Sequence, residues 1–109
     1  MAVRDILDLT GASGAVYRFL RHQEGADLSP IGGNFVLVRD GIGGPRVVYC
    51  GQAESLRTGS DGPWRAALNE AGETLLYTRL NVSQRTREHE HSDVVAAYLP
   101  AANDPPPAA

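Results

Sequence analysis

Lysine is absent from the 109-residue chain, and cysteine occurs once, as Cys50. All ten basic residues are arginine, so no lysine can act as a general base or form a Schiff base. A single cysteine can form neither an internal disulfide nor a four-cysteine zinc site, which fits a reducing compartment. No segment approaches the ~18 apolar residues of a membrane-spanning helix, and no signal peptide is recognisable. We therefore expect a soluble, cytoplasmic protein.

The charge balance is slightly acidic, with 13 acidic residues, 10 arginines and a formal net charge of −3. Tight non-specific binding of nucleic acid depends on neutralising phosphates, and an acidic chain does this poorly. A local groove lined by arginine stays compatible with this composition. The length suits one domain with one hydrophobic core.

Short patterned segments predict a mixture of strands and helices. Alternating or β-branched residues predict four strands, over residues 15–21, 35–38, 47–49 and 74–80. A glycine-rich turn joins the second and third strands, so we expect these two to be antiparallel neighbours. One helix is predicted to begin at Ser60 or Asp61 and to end at Gly72, and a longer one is capped by Ser83 and stopped by Pro100. The absence of a regular βαβ repeat favours the α+β class, a small antiparallel sheet flanked by helices, which we expect against one face.

The longer predicted helix carries a polar stripe just before it becomes apolar. Counting back by three and four from its apolar end places Glu88, His91 and Val95 roughly along one line. One interpretation is a partly buried His91 that hydrogen-bonds to a strand, with Glu88 as its exposed companion. The other interpretation is a functional histidine aimed at the sheet.

Two glycine-containing motifs lie in the predicted hairpin. Gly32-Gly33-Asn34-Phe35 begins its first strand, and Tyr49-Cys50-Gly51 ends its second strand. Together with Gln52-Ala53-x-x-Leu56 and the segment 79–83, these motifs resemble the GIY-YIG nuclease superfamily, in particular its small bacterial single-domain members. The resemblance implies a GIY-YIG-like domain over residues 32–103. Residues 1–31 then form an N-terminal extension with one strand, and the proline-rich segment 104–109 is expected to be a disordered tail.

The resemblance also implies where the chemistry of the family would lie. Phe35 stands in place of the first tyrosine of the family, whereas Tyr49 keeps the second. Ungapped counting puts Gly59 at the position of the catalytic arginine, so that Arg57 or Arg65 becomes the candidate replacement.

The late helix of the family carries a metal-binding glutamate nine residues before a proline, with an asparagine three residues beyond it; here Pro100 and Asn103 fit that spacing. The glutamate position is occupied by His91. Glu88 and Glu90 flank His91, and either carboxylate could supply the missing ligand. A site of this kind would hold Mg²⁺ or Mn²⁺, because hard cations prefer oxygen ligands.

The implied reaction is metal-dependent hydrolysis of a phosphodiester, in which tyrosine, arginine and a metal-bound carboxylate act on the phosphate. Three of the usual positions are altered, at Phe35, Gly59 and His91. We therefore predict a pseudoenzyme with a degenerate active site that serves as a nucleic-acid or protein binding module. Its binding residues would include Phe35, Gln52 and Asn103.

The alternative is a divalent-metal-dependent DNA endonuclease with a rearranged site. Its catalytic residues would be Tyr49, Arg57 or Arg65, and His91, with the metal held by His91, Glu88 and Glu90. In either case the expected partner is DNA or a protein and not a membrane, and the oligomeric state is left open.

Trp64 is expected to be a packing anchor rather than a platform for base stacking, and Cys50 a small buried residue.

Overall fold

The computed structural model describes residues 5–23, 28–41, 43–71 and 73–98. The strands there are β1 (Ile6–Thr10), β2 (Val16–His22), β3 (Gly33–Gly41), β4 (Gly44–Ala53) and β5 (Leu75–Leu80), and the helices are α1 (Leu56–Gly59), α2 (Asp61–Ala71) and α3 (Gln84–Tyr98). The strands form an antiparallel sheet in the order β1-β2-β5-β3-β4. The predicted α+β class is therefore confirmed.

The hairpin formed by β3 and β4 agrees with the sequence prediction. Phe35 pairs with Gly51 and Leu37 with Tyr49, so the two predicted segments are antiparallel neighbours. Gly44, at the start of β4, has φ of 103°, a conformation that favours glycine. The strand predicted over residues 74–80 is β5, and it pairs with the opposite side of β3.

The N-terminal region contains two strands, whereas the sequence predicted one. Alternation predicted β2, which is confirmed, but β1 was missed. β1 pairs with β2, and β2 pairs with β5, so this hairpin extends the sheet beyond β5. Leu7 and Leu9 of β1 are buried while Ile6 is exposed. Apolar residues on both sides of so short a strand hide the alternation that marks a half-buried strand.

Helices cover both faces of the sheet, so the expectation of helices against one face is wrong. On one face, Val94 of α3 packs into a core cluster with residues of β1 to β5. On the other face, Leu56 of α1 and Trp64 of α2 pack against β3 and β5. Residues 35–38 of β3 are at most 2% exposed. A continuous apolar run of this kind is typical of a strand that is covered on both faces, as β3 is here.

The starts of α2 and α3 follow the sequence signals, whereas α1 was not predicted. The Ser83 hydroxyl accepts a hydrogen bond from the Thr86 N–H at 3.3 Å, which confirms the predicted cap of α3. α2 begins at Asp61, as predicted. The predicted helix ends at Gly72 and Pro100, and the predicted tail over 104–109, lie outside the described residues. None of the helices in the described ranges is long and apolar enough to cross a membrane.

Asp93 of α3 holds the turn between β1 and β2. Its carboxylate accepts hydrogen bonds from the Ser13 N–H at 2.8 Å, the Ser13 hydroxyl at 2.7 Å and the Tyr17 hydroxyl at 2.7 Å. A Cβ at Gly11 would lie 2.1 Å from the Asp93 Oδ2 atom, so any other residue here would have to displace the carboxylate. These bonds anchor the N-terminal hairpin to α3.

A buried polar network fixes the start of β3 against α3. The Asn34 amide donates to the Arg87 carbonyl at 3.0 Å and accepts from the Asn81 amide at 3.0 Å. The Arg87 guanidinium donates to the carbonyls of Asn81 and Val82, at 3.1 and 2.8 Å. Asn34 and Arg87 are 3% and 5% exposed, so these bonds satisfy most of the polar atoms that water cannot reach. Within the described residues, the Arg87 Nε is buried without a hydrogen-bond partner.

Candidate functional site

The two aromatic motif positions lie side by side on the face of the sheet that α1 and α2 cover. The rings of Phe35 and Tyr49 are stacked, with centroids 5.9 Å apart and an angle of 30° between their planes. Phe35 is buried and Tyr49 is partly buried. Tyr49 therefore keeps some access to solvent, whereas Phe35 has neither access nor a group that could exchange a proton.

The glycine of the Tyr-x-Gly motif is needed by the Phe35 ring. A Cβ at Gly51 would lie 2.2 Å from Cζ, 2.5 Å from Cε1 and 2.8 Å from Cε2 of that ring. Phe35 and Gly51 are also paired across β3 and β4. The motif glycine thus has a packing reason in this chain, independent of any catalytic role.

The position matched to the catalytic arginine has no room for a long side chain. A Cβ at Gly59 would lie 2.3 Å from the Cβ of Ala53, because α1 approaches β4 closely here. Arg57, two residues earlier, is exposed, and its Nε donates to the Leu28 carbonyl at 3.0 Å. Arg65 is also exposed, and it pairs with Asp61 at 2.8 Å within α2. Both candidate replacement arginines are therefore engaged within the domain.

His91 packs against β4 rather than facing open solvent. It is partly buried, and burial lowers the pKa of its imidazole, while a hydrogen bond to the Gly51 backbone acts in the opposite direction. Within the described part of the chain, its Nδ1 atom is buried without a hydrogen-bond partner. That ring adjoins a cavity of about 10 Å³ whose lining includes Phe35, Gly51 and Glu90. This is close to the smallest space that holds one water molecule.

The two flanking carboxylates do not join His91 in a metal-ligand set. Glu88 is exposed and accepts a hydrogen bond from Gln84 at 3.1 Å. Glu90 accepts from the Arg79 Nε at 2.8 Å. Across the ranges that the structure describes, no three His, Cys, Asp or Glu side chains are grouped so that they could hold a metal ion. The predicted set of His91, Glu88 and Glu90 is thus not assembled.

The polar stripe of α3 is rotated relative to the sequence expectation. The buried residues of this helix are Arg87 and Val94, while Glu88 faces solvent and His91 and Val95 are partly buried. Arg87 points inward because its guanidinium reaches the main-chain carbonyls before the helix. The interpretation of His91 as a partly buried residue bonded to a strand, with an exposed Glu88, fits this geometry.

The remaining candidate residues that the structure describes lie in ordinary packing environments. Gln52 is partly buried on β4, opposite Asn34, and Asn103 lies outside the described residues. Burial raises the pKa of the Cys50 thiol to about 12, so this buried cysteine is protonated and unreactive at neutral pH. The Trp64 indole N–H donates to the Thr74 carbonyl at 2.8 Å in a buried site, as expected of a packing anchor.

The structure adds a surface that the sequence did not predict. α1 and α2 cover β3, β4 and part of β5 on this face of the sheet. The same face carries exposed apolar side chains on β1, on β2 and at the end of β5, namely Ile6, Val16, Leu20 and Leu80. We call this surface the open half-face. A groove of about 640 Å³ runs along it. Its lining includes four leucines and three arginines, namely Leu20, Leu28, Leu56, Leu80, Arg18, Arg57 and Arg79.

A signal for this surface is present in the sequence. Residues 15–21 alternate, but both sets of alternate positions contain apolar residues: Tyr17 and Phe19 on one side, Val16 and Leu20 on the other. The first set is buried under α3, and the second is 61% and 51% exposed. A strand that is apolar on both sides requires cover on both sides, and among the described residues only the side with Tyr17 and Phe19 is covered.

Comparison of the chain with protein-family models, with curated proteins and with solved structures finds no significant match in any of the three.

Proposed function

We propose that this chain is a diverged GIY-YIG-like domain that has lost phosphodiester hydrolysis and serves as a protein-binding module. The observation that supports this best is the contact between Gly59 and Ala53. A Cβ at Gly59 would already lie 2.3 Å from the Ala53 Cβ, so an arginine at the family position has no space. Because the packing of α1 on β4 leaves no room at this position, it supports the loss of the catalytic arginine more strongly than a substitution alone would.

The other altered positions support the same conclusion. Phe35 cannot position or deprotonate an attacking water, and His91 brings no carboxylate. Glu90 could approach a metal only by leaving Arg79, with which it forms an ion pair at 2.8 Å while only 12% of its side chain is exposed. Removing one strong transition-state contact commonly costs about 10²–10³ in rate, so three uncompensated losses leave little catalysis.

The open half-face favours a protein over a nucleic acid as the partner. Single-stranded nucleic acids are bound through exposed aromatic platforms and a positively charged groove. Among the described residues, the aromatic side chains are buried or partly buried except Tyr98, whose hydroxyl accepts a hydrogen bond from the Thr10 N–H. The exposed apolar side chains of the open half-face are leucine, isoleucine and valine, which are typical of protein-protein contacts. Two arginines of its groove are engaged within the domain, Arg18 with the Asp8 carboxylate and Arg57 with the Leu28 carbonyl.

The first test is incubation of the purified protein with supercoiled plasmid and Mg²⁺ or Mn²⁺. We expect the plasmid to stay intact. Metal-dependent nicking that is lost in His91→Ala but kept in His89→Ala would contradict the proposal and support the endonuclease alternative. His89 is a matched control, because it is an exposed histidine two residues away on the same helix.

A second measurement separates the two kinds of binding partner. Fluorescence anisotropy with labelled single-stranded and double-stranded DNA should show no binding at protein concentrations up to about 10 µM in physiological salt. Binding that weakens in Arg57→Gln or Arg65→Gln, without plasmid cleavage, would replace the protein-binding proposal with a nucleic-acid-binding one.

A further inference from the structure

We propose that Arg39 and Arg46, near the turn end of the β3–β4 hairpin, bind a phosphoryl group carried by a protein partner. This inference rests on the proposed function in one respect, because it takes the partner to be a protein. Arg39 of β3 and Arg46 of β4 lie directly opposite each other in the strand register. Opposite side chains of an antiparallel pair lie on the same face, with Cβ atoms about 4.5–5.5 Å apart. The register therefore brings two positive charges together.

Two arginines that face each other across a sheet are unfavourable unless an anion lies between them, because like charges directly opposite repel. Within the described residues, neither of these two guanidinium groups forms an ion pair, whereas Arg18, Arg65 and Arg79 each pair with a carboxylate. Asp40 follows Arg39 along β3, so its side chain points to the other face of the sheet. The repulsion between the two arginines is thus not balanced by a carboxylate of the described part of the domain.

The packing around the pair holds one arginine in place and leaves the other accessible. Leu37, two residues before Arg39 and therefore on the same face, is buried in the cluster under α1 and α2. Arg39 is partly buried, and its Nε lies 3.5 Å from the Thr74 hydroxyl oxygen, a long hydrogen bond. Arg46 is exposed. A ligand can therefore approach from solvent over Arg46 and meet a positioned guanidinium at Arg39.

A phosphoryl group is the anion that fits two neighbouring arginines best. A phosphorylated side chain carries a charge of about −1.5 to −2 at pH 7, which matches two guanidinium groups, whereas a carboxylate carries a single charge. The planar guanidinium donates two parallel hydrogen bonds to phosphate oxygens, so each arginine can hold a different edge of the group. Clusters of arginine are a recurring means by which proteins recognise phosphorylated segments.

The surroundings of the pair favour a phosphorylated protein over a nucleic acid. A nucleic acid carries phosphates on both sides of any one contact and needs a positive track to bind them. Here the neighbours in the chain are acidic: Asp40 follows Arg39 and Glu73 precedes Thr74, and both are exposed. These carboxylates would repel the further phosphates of a nucleic acid. A phosphorylated side chain brings one phosphoryl group.

Thermal unfolding in inorganic phosphate tests the site with a defined probe. The assay compares about 50 mM phosphate at pH 7.5 with NaCl of equal ionic strength. We expect phosphate to raise the wild-type melting temperature by about 3–5 °C more than that of Arg46→Gln. Phosphate also stabilises proteins by exclusion from their surface, so the difference between the two proteins is the decisive quantity. Arg85→Gln is the matched control, because Arg85 is exposed on α3, which packs on the opposite face. It should respond as the wild type does.

The same variants measure the repulsion itself. In low salt without phosphate, Arg46→Gln should melt about 1–3 °C above the wild type, because it removes one of two like charges. An arginine with a purely structural role would give the opposite sign, since its loss would lower the melting temperature.

Nitrogen-15 NMR identifies the kind of molecule that carries the phosphoryl group. N-acetyl-phosphoserine amide should shift the Nε–H signal of Arg39 and the backbone signals of both arginines, and N-acetyl-serine amide should not. A single-stranded oligonucleotide with a 5′-phosphate should produce no larger change than the same oligonucleotide without it. If the oligonucleotide binds at these arginines and the phosphoserine derivative does not, the partner is a nucleic acid and the inference is wrong.

Three further outcomes overturn the site: an equal effect of phosphate on the wild type and Arg46→Gln, an equal loss of the effect in Arg85→Gln, or a lower melting temperature of Arg46→Gln without phosphate. A protein that shows no specific response to phosphate and does not cut plasmid contradicts this inference alone. A protein that binds the phosphoserine derivative through both arginines and also cuts plasmid contradicts the proposed function alone.

Discussion

Replacing Gly51 by alanine tests whether the motif glycine is required by packing. The added methyl would lie 2.2 to 2.8 Å from three atoms of the Phe35 ring, which is 2% exposed. The cavity beside the ring is only about 10 Å³, so it cannot receive a displaced ring. Overpacking of a buried core costs about 1–3 kcal/mol, and the rigid surroundings place Gly51→Ala near the upper end, at about 2–3 kcal/mol.

Urea unfolding followed by circular dichroism and by the fluorescence of Trp64 measures this change. With a urea dependence of about 1–3 kcal/mol per molar for a small protein, a loss of about 2–3 kcal/mol should lower the unfolding midpoint by about 0.7–3 M. The same loss observed by both probes would show that the domain unfolds as one unit.

A second substitution distinguishes this contact from a general effect of the methyl group. Phe35→Leu removes the Cζ, Cε1 and Cε2 atoms that the methyl would meet. Alone it should cost about 1–2 kcal/mol, less than the ~3–5 kcal/mol of a Phe→Ala change. Combined with Gly51→Ala, it should cost at least about 1 kcal/mol less than the sum of the two single changes. Strict additivity, or a single Gly51→Ala change below about 0.5 kcal/mol, would refute the reasoning.

Two further predictions concern ionisable groups. The Cys50 thiol, with its pKa raised to about 12 by burial, should not react with a disulfide reagent in the native protein and should react fully in urea; rapid native reaction would contradict its burial. Hydrogen bonds from Ser13 and then Tyr17 hold the pKa of Asp93 below its ordinary value of 3.8. The stability they provide is therefore present above pH 3.8 and is lost as the pH falls through the lower folded value. Asp93→Asn should be less stable than the wild type near pH 6 and should lose less stability as the pH is lowered below 3.8. Thermal unfolding of both proteins between these pH values measures this difference. If the melting temperatures of the two proteins fall in parallel with pH, the assignment is wrong.

The parts of the fold that the sequence predicted correctly depend on local signals. The β3–β4 hairpin follows from two β-branched runs and a glycine-rich turn, and the start of α3 follows from Ser83. These signals act within a few residues, where backbone preference and capping decide the conformation. The burial of Trp64 and Cys50 also follows from residue type alone.

The parts that the sequence did not predict depend on contacts between distant segments. The rotation of α3 is set by Arg87, which reaches the carbonyls of Asn81 and Val82, and no helical periodicity encodes that contact. The absence of space at Gly59 arises from the approach of α1 to Ala53 on β4. The exposure of Val16 and Leu20 on β2 could be predicted only if one knew which strands the helices cover. These long-range contacts determine which side chains of the candidate site are buried, paired or exposed. The local sequence motifs alone could therefore not predict its geometry.

The position of β5 in the sheet constrains the order in which the chain can fold. β5 lies between β2 and β3, so the N-terminal hairpin reaches the rest of the sheet only through a strand that ends at Leu80. During synthesis, the β1–β2 hairpin therefore cannot join the rest of the sheet until β5 has been made. Pairings between such distant segments give a high contact order, which slows folding and prolongs the time that unpaired strands are exposed. The nascent N-terminal hairpin is thus the segment of this protein for which protection by a chaperone would matter most.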